Sequence, residues 1–258
     1  MNLIFKILVC FFAGAGAGIG TGFAGMSAAA IIGPTLATML GMPAYQALGI
    51  GLASDVLASA ISAWVYHKHG NLDVKNSRVL LVTVILMTIV GSFIGSFVPN
   101  RSMGSLQQIG LICVGIKFLV SPNRRTREQM AKEDPRTRNL KAVAGGTIVG
   151  FICGFIGAGG GMMLLFVLTS ILGYEMHLAV GTSVFIMCFT AFTGAASHMI
   201  IGGIPDPICI ISCILFTFLW ARIAAKIANK VDSVTLSRAA GCVMVGFSIV
   251  ILAVGLLG

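Results

Sequence analysis

A glycine-rich stretch set inside otherwise apolar sequence limits what this chain can become. From Gly145 to Gly161 there are eight glycines in 17 residues, with no charge and no proline. Gly146, Gly150 and Gly154 recur every four residues. They therefore share one helix face, where backbones can approach closely in lipid. Gly157, Gly159, Gly160 and Gly161 lack that spacing. Their tolerance of φ > 0 and the amides they expose predict a helix that breaks here and restarts near Met162. In a bilayer, irregular backbone is tolerated only where it is buried in protein or lines a cavity. The stretch reads as a candidate binding site, not as a connector.

Composition agrees with a bilayer. Hydrophobic residues make up 57% of the 258 and charged residues 10%, where soluble domains carry about a quarter charged. The mean hydropathy is +0.99, and apolar runs of 15 to 25 residues fill most of the chain. The expected class is an all-α polytopic membrane protein of the plasma membrane. The net charge of +9 does not imply a nucleic-acid partner. The cations fall between the apolar runs, as topology determinants do. All seven cysteines lie in apolar segments without CxxC spacing and read as packing residues. No cofactor and no metal is expected.

The chain repeats itself. A shift of 132 residues lays Gly14–Leu72 on Gly146–Ile204 without a gap, with 12 identities in 59 positions. Among them are Gly14/Gly146, Gly18/Gly150, Gly22/Gly154, Gly25/Gly157 and Gly41/Gly173. Each half then contains five apolar segments: 3–22, 25–41, 44–66, 78–98 and 103–121, against 142–156, 159–173, 176–201, 206–228 and 236–257. The N-terminal run has a lysine, an apolar core and small residues, as a signal peptide does. Its counterpart deep in the chain makes it a retained helix instead. The first two segments of each half are short for a bilayer core of about 30 Å and predict a hairpin that turns at the glycine break.

Charge sets the orientation. Ser121–Lys141 carries seven of the 17 Lys and Arg, which places it in the cytoplasm. Five crossings per half put Lys68, Lys75 and Arg78, and also Lys226, Lys230 and Arg238, on the same side. Four would export the second cluster. Five crossings make the halves, 1–121 and 142–258, inverted repeats with both termini outside. Residues 122–141 read as a solvated cytoplasmic linker.

Residues 150–161, Gly-Phe-Ile-Cys-Gly-Phe-Ile-Gly-Ala-Gly-Gly-Gly, resemble the glycine signature of the sulfite exporter TauE/SafE family. Ala179-Val180-Gly181-Thr182-Ser183, His198 and Gly202-Gly203-Ile204 resemble it too. The first half departs, with Gly25-Met26-Ser27-Ala28-Ala29 in place of the triple glycine. The resemblance implies a permease, usually an exporter, for sulfite, thiosulfate or small organosulfonates. Two helix N-termini restarting after breaks would present free amides and positive dipole ends to such an anion. The expected binding residues are Gly25, Met26, Ser27, Gly157, Gly159, Gly160, Gly161, Thr182, Ser183 and His198. Expected partners are the anion and the lipid bilayer, with a homo-oligomer compatible.

Asp55 is the one acid well inside an apolar run. It reads either as a proton-coupling group or as a structural acid facing a cavity. Tyr66 and His198, matched across the repeat, face a cavity or anchor at the interface, anchoring being the reading for Tyr66. Arg222 and Lys117 read as snorkelling side chains. Alternatives to a carrier of sulfur anions are an anion channel or a carrier of another small organic anion. A channel lacks a charge ring or filter motif here. An intramembrane hydrolase built on Ser27 and His198 lacks a paired acid–base set, so no enzyme is expected.

Overall fold

A computed structural model describes residues 2–95, 103–131, 134–156, 160–202 and 205–257. Among them there is no strand; the elements are helices joined by short turns. They are α1 (Leu3–Ala24), α2 (Ala29–Leu40), α3 (Ala44–Lys68), α4 (Val74–Gly95), α5 (Met103–Val120) and α6 (Arg127–Ala131). Then come α7 (Pro135–Ile156), α8 (Gly160–Phe166), α9 (Met176–Gly202), α10 (Pro207–Ala228) and α11 (Ser233–Leu257). A π-helical turn, Val167–Ile171, extends α8. Six of these, α1, α3, α4, α9, α10 and α11, are long and apolar enough to cross a membrane. By contrast α2 has 12 residues, about 18 Å at 1.5 Å per residue, and stops well short of the opposite surface.

The glycines spaced by four place the long helices. In α1, Gly14, Gly18 and Gly22 press against α10: a Cβ at Gly18 would stand 2.6 Å from the Thr217 carbonyl oxygen, and one at Gly22 2.7 Å from that of Ala221. In α7, Gly150 and Gly154 press against α4, where a Cβ would stand 2.5 Å from the Val84 oxygen and 2.0 Å from the Thr88 oxygen. Only hydrogen fits at such contacts. Without a hydrophobic driving force between helices in lipid, this backbone proximity supplies the van der Waals attraction. In both pairs the contact residues rise together along the two helices, so each pair runs parallel. The first helix of each half thus pairs with the fourth of the other.

The third helices meet at the centre. Cys188 of α9 donates to the Val56 carbonyl of α3 at 3.6 Å, Gly181 lies against Tyr66, and Gly194 against Leu52. As one index rises the other falls, so α3 and α9 cross antiparallel. The matched glycines Gly41 and Gly173 both sit at left-handed φ, +62° and +67°, where the chain turns after α2 and after the π turn. One local defect has a visible repair. Pro34 inside α2 has no N–H to give the Ala30 carbonyl. The Gln108 amide of α5 donates to that carbonyl instead, at 3.2 Å.

Most of the described linker residues are exposed, yet several of its side chains dock on neighbouring loops, and its last seven residues belong to α7. The Asn123 side chain donates to the Tyr174 carbonyl at 2.8 Å and its N–H to the Ser237 hydroxyl at 3.1 Å. Arg127 donates to Asn71 and lies 3.9 Å from Glu175. Arg138 donates to Asn76 at 2.6 Å, and the Arg125 guanidinium covers Gly173. Asn71 in turn donates to Asn229 at 2.6 Å. Its mixed charge keeps most of the segment in solvent, while the loops between helices offer carbonyls and amides that these few side chains bond.

Tyr66 is also placed differently from its expected interfacial role. It is fully buried and donates to the Gly22 carbonyl at 2.9 Å. Lys117 lies over the Phe118 and Phe166 rings and reaches Ser170. Arg222 is exposed, as a snorkelling side chain would be.

Candidate functional site

The first break is a helix stop followed at once by a restart. Gly25 adopts φ +59°, a left-handed conformation that only glycine enters cheaply. Its N–H reaches the Thr21 carbonyl at 3.0 Å, and the Met26 N–H reaches that of Gly20 at 3.1 Å. Paired bonds of this kind close a helix C-terminus. The Thr21 hydroxyl donates to the Met26 carbonyl at 2.9 Å, and Met26 folds back on Gly20. After three residues α2 begins.

The second break separates α7 from α8. Gly157, Gly159 and the side chain of His198 lie outside the described residues. The restart comes at Gly160, two residues before the expected Met162. Gly160 and Gly161 are helical, and of the described glycines at the breaks only Gly25 has positive φ. Gly160 and Gly161 are glycines for another reason, which is space. A Cβ at Gly160 would stand 2.6 Å from the Cys153 sulfur, and one at Gly161 2.0 Å from the Gly25 carbonyl oxygen and 2.3 Å from the Met187 sulfur. The two breaks, distant in sequence, therefore touch.

α9 closes the site on one side. The Ser183 hydroxyl lies so close to Gly25 that a Cβ there would be 2.5 Å away, and it donates to the Val180 carbonyl at 2.8 Å. Thr182 is buried and accepts the Asp73 N–H at 3.2 Å, so its oxygen serves the loop after α3. Gly25, Met26, Ser27, Gly160, Gly161 and Ser183 are brought together; Thr182 flanks them.

Asp55, the twelfth of 25 residues in α3, is buried. One carboxylate oxygen accepts the Ser27 hydroxyl at 2.6 Å, the other that of Ser59 at 3.1 Å, and the Ala28 amide adds a weaker attraction. No described Lys or Arg pairs with it. A charge at the bilayer centre costs about 2.5–3.5 kcal/mol on insertion scales, and a hydrogen bond to a charged group contributes about 1.5–3. Two such donors, with the Ala28 amide nearby, hold the carboxylate without a counter-ion. Two thiols face it, Cys153 from α7 and Cys188 from α9.

Cys153, which had read as packing, stands at the start of α8. The Gly160 N–H and the Thr190 and Thr88 hydroxyls surround its sulfur, and it keeps partial exposure. Its only sequence signal was its match to Thr21, the residue that closes the first break. Gln108 and Ser59 were missed altogether. Gln108 follows Gln107 in α5, and Ser59 is one of three serines in α3, so a weak pattern could not tell which of them faces inward.

No solved structure matches the chain. It is 24% identical over 222 residues, 86% of this chain and 90% of the other, to the probable membrane transporter protein YdhB of Bacillus subtilis (strain 168). It is 23% identical over 171 residues, 61% of this chain and 63% of the other, to the probable membrane transporter protein YunE of the same organism. The model of the sulfite exporter TauE/SafE family matches residues 10–251, and the protein is a member of that family of multi-pass membrane transporters.

Proposed function

We propose that this protein is a secondary transporter, working as an exporter, for small sulfur-containing anions such as sulfite, thiosulfate or organosulfonates. The anion binds where the two glycine breaks cross, among Gly25, Met26, Ser27, Gly157, Gly159, Gly160, Gly161 and Ser183, with Thr182 and His198 beside them. Asp55 is the coupling group. The two halves are inverted in the membrane, with the central linker cytoplasmic and both termini outside. The observation that carries this reading is the contact of Gly161 with the Gly25 carbonyl. It brings two interruptions of helical hydrogen bonding to one buried place, and irregular backbone at membrane depth belongs where it lines a cavity for a polar ligand.

The test is thermal stabilisation of the purified protein by sulfite, thiosulfate, sulfoacetate, sulfate and carboxylates. Binding stabilises in proportion to ligand over Kd, about 2.7 kcal/mol at a hundredfold excess. Stabilisation by the sulfur oxyanions or sulfonates, absent with the carboxylates, is expected. No response to any sulfur anion, or an equal response to all, overturns the reading.

A further inference from the structure

The N-terminus of α2 already holds an anion, and that anion is Asp55. Its carboxylate takes the Ser27 hydroxyl at 2.6 Å, with the attraction of the Ala28 amide beside it, where a helix of 12 residues opens. A second buried polar side chain stands against the same helix. Gln108 is 2% exposed and bonds the first turn of α2 through Nε2, while its Oε1 has no partner. The groups that could share charge with Asp55 are few. Cys153 faces it from α7 and Cys188 from α9; α1, α2 and α5 bring no described titratable side chain to it. The charge at the seat is therefore set by Asp55.

Resting on the anion reading above, we propose that Asp55 is a tethered competitor for the transported anion. The two cannot share the α2 N-terminus while both are charged. At about 4 Å and an effective dielectric of about 20, their repulsion disfavours joint occupancy on the order of a thousandfold. The attraction of a helix N-terminus recovers only part of that. The anion accordingly enters as Asp55 takes up one proton, which converts its carboxylate to a neutral carboxyl and leaves Ser27 and Ala28 free to donate to the newcomer. One proton accompanies each anion, and coupling follows from exclusion at a shared seat without any separate proton path.

The experiment uses thiosulfate and ethanesulfonate as probes, because neither changes charge near neutral pH. Affinity is measured on the purified full chain at about pH 5.5 and about pH 8.5, with proton uptake on mixing followed in weak buffer near pH 7. For the wild type we expect at least a tenfold weaker affinity at the higher pH and about one proton taken up per anion bound. Asp55→Asn should bind at the higher pH as tightly as the wild type does at the lower, with no proton uptake. The proton measurement on the wild type stands even if that variant does not fold. Wild-type binding without pH dependence or proton uptake overturns the competitor role and leaves the anion reading intact, as does an Asp55→Asn variant that keeps the wild-type pH profile. Absence of binding to either probe at both pH values overturns the anion reading and this inference with it.

Discussion

Gly161 lies directly against the carbonyl of Gly25, so that a Cβ at position 161 would stand 2.0 Å from that oxygen. Gly25 closes the helix that opens the first half, and Gly161 belongs to the restart in the second. At this contact the two halves meet within the candidate site, and it explains why glycine occupies position 161, whose backbone is ordinary helix.

Alanine substitutions at the breaks should therefore rank by what they strike. Gly161→Ala meets backbone, which cannot turn aside, and should abolish transport and lower the yield of folded protein. Gly160→Ala meets only the Cys153 side chain, its sulfur at 2.6 Å and its Cβ at 3.3 Å. Its defect should be smaller, and Cys153→Ala should relieve it in the double variant. Gly25→Ala combines a left-handed φ with the Ser183 hydroxyl 2.5 Å away, a strain of at least about 1 kcal/mol. Equal transport by the Gly160 and Gly161 variants would contradict this ranking.

Tyr66→Phe removes one hydroxyl from a fully buried ring and leaves the Gly22 carbonyl without that donor. Interhelical hydrogen bonds in membranes contribute about 0.6 kcal/mol on average and up to about 1.7. The variant should lose stability in that range by denaturant unfolding in micelles. An unchanged midpoint would return Tyr66 to simple packing.

Glu175 gives a pH signature outside the membrane-spanning segments. Burial works against its ionisation, but hydrogen bonds from His177 and Ser233 outweigh this and hold the carboxyl at about 2, below its ordinary 4.5. A depressed carboxylate adds stability above the unfolded value, and that stability is lost as pH falls through the folded value. Glu175→Gln should cost about 1–3 kcal/mol at neutral pH. The gap from wild type should close between about pH 4.5 and about pH 2. A gap that persists in acid would assign the loss to packing.

Orientation is open to direct labelling. Single cysteines placed at residues 2, 130 and 258 of a cysteine-free protein should react from outside, inside and outside, respectively, with an impermeant maleimide. A cytoplasmic C-terminus would defeat the inverted arrangement.

Much of the scaffold was legible because its cause is local. The helix-facing role of Gly150 and Gly154 follows from spacing alone, and contact with Val84 and Thr88 shows the same face. The match of Gly41 with Gly173 marked two turns that share a left-handed φ. What could not be read depends on partners far along the chain. The docking of Arg127 on Asn71 and Glu175 needs three loops at one end of the bundle. Gln108 mattered because of Pro34 in another helix. Asp55 stood out by its burial cost, yet only the folded chain shows that its carboxylate sits on the α2 terminus, where an incoming anion was expected to find free amides. Gly160 was assigned to flexibility when its reason is a neighbouring sulfur.

The parallel pairing of α1 with α10 also governs how the molecule is made. Synthesis completes α1 some two hundred residues before α10 leaves the ribosome. Through that interval Gly14, Gly18 and Gly22 face lipid or the insertion machinery with a groove that no completed helix fills, and Lys6 waits for Asp206, its eventual partner at 2.6 Å. The α4 and α7 pair imposes a shorter wait of the same kind. Neither half can finish packing by itself, so assembly is governed by the last helices to emerge. A truncated first half would expose a ready-made seam for a second truncated copy or for quality-control proteases.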